Sequence, residues 1–186
     1  MSILDKIRTF LSRKKIGYSE HPFIFPYSAN KEIKQQQIWA NLKHGILFED
    51  IPVFIPWLTP FADLDQFATQ REELSDRTNW HLGEHAIVDG YQCSIDVMKW
   101  LFIKRSTAFS QIEVFLGNDE HGNKEFTTLK SKITDLLGDP SNIQLNKFGD
   151  LDLGSIEWIK HDAKICLSGI DQHACRYRLY IGLSKT

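Results

Sequence analysis

The sequence predicts an α+β fold in which antiparallel sheets carry helices packed on one face. Three observations predict it. Apolar runs with period-two alternation dominate from Trp80 onward, Asp89-Gly90 supplies a two-residue hairpin turn between two of them, and a helical stripe precedes each group of strands.

The first element expected is a helix at the N-terminus. Ser2 and Asp5 form a capping signal, and Ile3, Ile7, Phe10 and Leu11 share a helical face. Arg13, Lys14 and Lys15 suit its C-terminus, and Gly17 stops it. A basic amphipathic helix fits a membrane surface, but Asp5 among only four apolar anchors favours docking on the protein's own core. After Pro22-Phe23-Ile24-Phe25-Pro26, Ser28 is expected to cap a second helix reaching about Lys43, with Gly45 beyond it. Ile46 to Ile55 reads as one strand. Thr59 and Pro60 then open a short helix with Phe61, Leu64 and Phe67 or Ala68 on its stripe, and Thr69 to Asn79 reads as a polar connection.

Strands are expected over 80–88, 91–103 and 108–116, and the polar run 117–124 reads as a loop. Phe126, Leu129, Ile133, Leu136 and Leu137 define a further helix, which Gly138 and Pro140 end. Three more strands follow at 154–160, 163–170 and 175–183, with Ile165, Leu167, Tyr177, Leu179 and Ile181 facing inward. The result is a single domain over 1–186. Helices occupy 1–50, a first helix-plus-three-strand unit occupies 51–117 and a second occupies 118–186. Trp80 and Trp158 stand near the start of a first strand in the two units.

Composition agrees with a water-soluble globular chain. Of 186 residues, 42% are apolar and 25% charged, and the net charge of −2 provides no basic field for nucleic acid. Residues 1–17 lack the apolar core of a secretory signal, and the longest apolar stretch, 51–62, is interrupted by three prolines. Cys93, Cys166 and Cys175 are an odd number without a C-x-x-C, so a reduced, cytoplasmic protein is expected.

Four local patterns have chemical potential. His81-Leu82-Gly83-Glu84-His85 matches the H-x-x-E-H arrangement in which two histidines bind zinc and the glutamate polarises water. That chemistry needs a helix, whereas Gly83 and the nearby Asp89-Gly90 turn indicate a strand. On a regular strand His81 and His85 would share a face and Glu84 would point away. Asn118 to Asn123 fails as a calcium loop, because aligning Gly122 puts Gly117 and Thr128 where carboxylates are required. Asp171, His173 and Cys175 fit a turn entering the last strand better than a catalytic set. Arg176, Arg178 and Tyr180 share one side of that strand and read as an exposed strand face rather than a nucleic-acid platform.

Charge along the chain is uneven. Residues 51–125 carry 6 basic and 12 acidic side chains, whereas the flanking regions are net basic. Glu72, Glu73, Asp76, Asp119 and Glu120 are therefore the candidate partner-binding residues, because acidic loops steer a basic protein toward its site. The aromatics Phe23, Phe25, Tyr27 and Trp57 are candidate anchors beside them.

Ile55-Pro56-Trp57-Leu58-Thr59-Pro60, Phe126 to Pro140, Trp158 and Ile165-Cys166-Leu167 are similar to segments of small bacterial immunity-type proteins of polymorphic toxin systems. The layout also resembles β-lactamase-inhibitor-type proteins. The resemblance spans about residues 51–183 and rests on capping and packing positions, so it transfers no site residue. It implies a non-catalytic cytoplasmic protein that binds a protein partner, a basic toxin domain, with no cofactor, nucleic acid or membrane. A small zinc-dependent hydrolase using His81, Glu84 and His85 is the alternative expectation. None of these signals sets the oligomeric state.

Overall fold

The computed structural model describes residues 23–102, 107–171 and 174–184. The expected N-terminal helix lies outside the described residues. The fold is α+β, as the alternation of helical stripes and strands predicts.

Helix α1, Lys31–Leu42, begins two residues later than Ser28 suggests, because Asn30 is the cap and its side chain accepts from Ile33 N at 3.0 Å. Ser28 instead accepts from Asn30 N. The single strand expected at 46–55 is a hairpin, β1 Gly45–Phe48 and β2 Val53–Pro56, folded around Glu49 to Pro52. Thr59 does not cap a helix. Its hydroxyl donates to Pro56 O at 2.8 Å, and the 3-10 turn Phe61–Gln66 follows Pro60.

The main sheet has eight antiparallel strands. In chain order they are β3 Gln70–Glu73, β4 Arg77–Ile87, β5 Tyr91–Trp100, β6 Gln111–Asn118, then helix α2 Asp119–Leu137, then β7 Asn142–Phe148, β8 Leu151–Lys160, β9 Ala163–Asp171 and β10 Cys175–Leu183. Their spatial order is β3-β4-β5-β6-β10-β9-β8-β7. Each unit is thus a meander of four strands rather than three, and the last strands of the two meanders pair with each other. The additional strands, β3 and β7, are the two edges of the sheet. Nearly every side chain on them is exposed, so neither shows the alternation that marks a half-buried strand. The polar run at 117–124 is also not a loop. α2 starts at Asp119, and Gly122 within it packs against Gly117 and the Tyr177 ring, where a Cβ would collide.

The two units share one device. Trp80 on β4 donates from Nε1 to Asp65 of the 3-10 turn at 2.7 Å, and Trp158 on β8 donates to Gly138 O at the end of α2 at 3.0 Å. In both units a buried indole on the second strand pins the helical turn that precedes the meander. A buried indole N–H has to find an acceptor, and a helix terminus offers free carbonyls or a side chain within reach.

α1, α2, the 3-10 turn and the β1–β2 hairpin all lie on one face of the sheet. Phe126, Leu129, Ile133 and Leu137 of α2 are buried over Tyr177, Leu179, Ile165 and Ile156, while Phe61 stacks on Trp80 and Phe48 on His85. No helix among the described residues is long and apolar enough to cross a membrane.

Candidate functional site

The opposite face of the sheet carries no element among the described residues, and its composition follows from strand alternation. One cross-strand row runs through all eight strands: Gln70, His81, Asp96, Glu113, Tyr180, Cys166, Glu157 and Asn142, each directly opposite the next. All but the thiol are polar. On the same face the rows beside it hold Glu72 and Asn79, Glu84 and Ser94, and Arg178 and Ser168.

Asp96 and Glu113 are the sole registered pair joining β5 to β6. Like charges directly opposed destabilise a sheet unless each has a counter-ion. Here Asp96 Oδ1 lies 2.7 Å from His81 Nδ1, and Glu113 Oε1 lies 2.8 Å from Arg178 Nε. The Arg178 N–H is not directed along that line, so the contact is an ion pair rather than an aligned hydrogen bond. Burial pushes the Glu113 carboxyl up, the charge of Asp96 adds to the shift, and the Arg178 guanidinium opposes it. Burial likewise raises Tyr180, and it takes the Cys166 thiol up to about 11, so these two sites are neutral at physiological pH.

Beside the Asp96–Glu113 junction the face is concave, with a volume of about 360 Å³ lined by Met98, Trp100, Glu113, Lys164, Arg178 and Tyr180 among others. Charge is unevenly spread over this face. Glu72, Glu84, Asp96 and Glu113 come from β3–β6 and Lys164, Arg176 and Arg178 from β9 and β10, with Arg77 of β4 and Glu157 of β8 as the exceptions. Lys164 faces Glu157 of β8 at 3.6 Å, and Arg77 is taken by Asp76 at 3.1 Å while lying over the Trp100 ring.

The H-x-x-E-H residues do not converge. The register of β4 against β5 slips between His81 and Gly83, where Gly83 has φ +99°. This bulge adds one residue and reverses the alternation beyond it. His81 therefore faces the open side opposite Asp96, while His85 faces the covered side, stacked on Phe48 at 4.2 Å with Nδ1 3.1 Å from Asp50. Glu84 shares the side of His81, the reverse of what a regular strand predicts. Two imidazoles on opposite faces of a sheet, each beside its own carboxylate, cannot hold one ion.

The five candidate acidic residues separate into two groups. Glu72 and Glu73 lie on edge strand β3 and Asp76 in the turn to β4, all exposed. Asp119 and Glu120 form the first turn of α2, after β6 has run back to the other end of the sheet, and Asp119 accepts from Cys175 N at 3.1 Å. Strands of this length put the two groups about 25 Å apart. Of the candidate aromatic anchors, Trp57 is buried and donates to Leu42 O, and Phe23 stacks on Phe54, so both serve packing; Phe25 remains exposed.

Asp96, Glu113 and Lys164 were missed as site residues, although one signal pointed to them. Alternate positions of β5, β6 and β9 are polar or charged, which marks a sheet face left uncovered. The Arg178–Tyr180 side, read as a lone exposed strand face, is in fact flanked by Glu113 on β6 and Lys164 on β9. No protein-family model matches the chain, and neither does any curated protein or solved structure.

Proposed function

We propose that this chain is a non-catalytic cytoplasmic binding protein of the immunity type, and that it neutralises a basic toxin domain by covering it with the open face of its sheet. The observation that carries the reading is the polar row across all eight strands, in which Asp96 and Glu113 stand on the β3–β6 half with Glu72 and Glu84 beside them, while the third acid, Glu157 of β8, faces Lys164 at 3.6 Å. Paired side chains on rigid strands lose little entropy when a partner docks, and unevenly spread charge sets its orientation and raises its association rate. Glu72, Glu84, Asp96 and Glu113 meet the basic surface of the partner. Glu73 and Asp76 border that half, while Asp119 and Glu120 contribute long-range attraction from the far end.

The test is capture of partners by the tagged full chain from its native source, followed by affinity measurement with the protein recovered. Glu72→Lys with Glu84→Lys is expected to weaken binding at least tenfold and to flatten its salt dependence. An unchanged affinity would remove the open face from the interface. A recovered partner that is acidic would refute the charge argument.

A further inference from the structure

On the covered face, α1 and α2 do not close over the sheet. Between them lies a groove of about 460 Å³ that the proposed protein interface does not use. Its floor is the sheet core itself, through Ile87 of β4, Ile165 of β9 and Leu179 and Ile181 of β10. Half-buried Leu136 of α2 forms one wall, with the buried Leu129 and Ile133 behind it, and the β4–β5 turn closes one end. The volume is within the roughly 300–1,000 Å³ typical of small-molecule sites, and an apolar interior with few polar groups is the usual composition of such sites.

The rim gives the groove its selectivity. Lys34 is neutralised by Asp89 at 3.0 Å. Lys31 and Lys132 are exposed at the mouth and have no ion-pair partner among the described residues; Asp135 is the remaining acid there. Tyr91 also lines the groove, with its hydroxyl kept neutral by burial, which takes it up to about 12. A neutral phenol and two ammonium groups beside an apolar trough favour a ligand with an anionic end. A basic segment, such as the chain's own residues 1–17 with Lys6, Arg8, Arg13, Lys14 and Lys15, has the wrong charge for this mouth.

We propose that the groove between α1 and α2 binds a small amphiphile with an apolar body and an anionic head, of which a medium-chain carboxylate is the simplest example. The apolar body lies against Val88, Tyr91 and Leu136 above the buried floor, and the head meets Lys31 and Lys132. The experiment titrates the full chain with 1-anilinonaphthalene-8-sulfonate, with laurate as competitor and the uncharged N-phenyl-1-naphthylamine as a second probe.

One saturable site is expected for both probes, with laurate displacing them. Lys31→Glu combined with Lys132→Glu changes only exposed positions. It is expected to weaken the sulfonate and laurate at least tenfold while leaving the uncharged probe within about twofold. Ala29→Trp, also at an exposed lining position, is expected to weaken both probes by filling the mouth. Melting curves of the variants matching the unmodified chain exclude unfolding as the cause. Absence of saturable binding, or charge reversal with no effect on the anionic probe, overturns the proposal.

Discussion

Replacing Glu49 by alanine tests how the small hairpin holds the main sheet. The turn from β4 to β5 places Val88, Asp89 and Gly90 at φ values of 46, 65 and 81°, and two of these residues are not glycine. Left-handed backbone at such positions costs about 1–2 kcal/mol each unless its surroundings fix it. What fixes it is the Glu49 carboxylate, which accepts from Asp89 N at 3.0 Å and from Gly90 N at 2.6 Å, while Glu49 N donates to Ala86 O at 2.7 Å. Successive N–H groups aimed at one carboxylate make charge-assisted bonds worth roughly 1.5–3 kcal/mol each when sheltered. Asp89 and Gly90 are exposed, so water takes over part of that role when the carboxylate is removed. The net loss expected for Glu49→Ala is therefore about 2 kcal/mol, and for a domain of this size that lowers Tm by roughly 4–8 °C. Urea unfolding followed by tryptophan fluorescence measures it. Glu49→Gln retains one acceptor and is expected to lose about half as much. A Glu49→Ala protein within about 0.5 kcal/mol of the unmodified chain would refute the turn-anchoring argument.

Further outcomes follow from the same contacts. Gly154→Ala is expected to cost roughly 3 kcal/mol or more, because Gly154 has φ +121° and its new Cβ would collide with Gln144 O across the β7–β8 ladder; hydrogen exchange should show β7 opening first. Glu113 has a folded pKa raised above its unfolded value, so its contribution to stability is fully present below the unfolded pKa of about 4.3 and is lost as pH rises through the folded value. The stability of the unmodified chain relative to Glu113→Gln should accordingly fall between about pH 4 and neutrality, and a difference that is flat or rises with pH would contradict the burial argument. Burial takes the Cys93 and Cys166 thiols up to about 12 and 11, so both should react with a disulfide reagent at about pH 8 at least tenfold more slowly than in urea. Rapid labelling of either in the native protein would show that its strand is not packed as described.

Much of the scaffold was legible in the sequence because it is written in local periods. The α2 stripe from Phe126 to Leu137 and the inward alternation of Tyr177, Leu179 and Ile181 each need only neighbouring residues to be recognised, and each is found where its period places it; the Asp89-Gly90 turn is also there, with Val88 joining it to make a three-residue loop. The β1–β2 hairpin was read as one strand because Glu49 to Pro52 contains no glycine or asparagine to announce a turn. Edge strand β3 falls within the stretch that reads as a polar connection and β7 within one that predicts no element, because exposure on both sides erases alternation.

The site depended on what no local window contains. Asp96, Glu113, Tyr180 and Cys166 come from four strands, and only the pairing of β6 with β10 makes them one row. The bulge after His81 is set by the register against β5, and it sends His85 to the other face and dissolves the apparent H-x-x-E-H group. The sequence by itself thus determined the α+β class, the helical stripes and most of the strands, because backbone periodicity and capping act over a few residues. Tertiary structure alone decided which face stayed open, which charges met and where a groove remained, because those depend on strand order and register between residues distant in the chain.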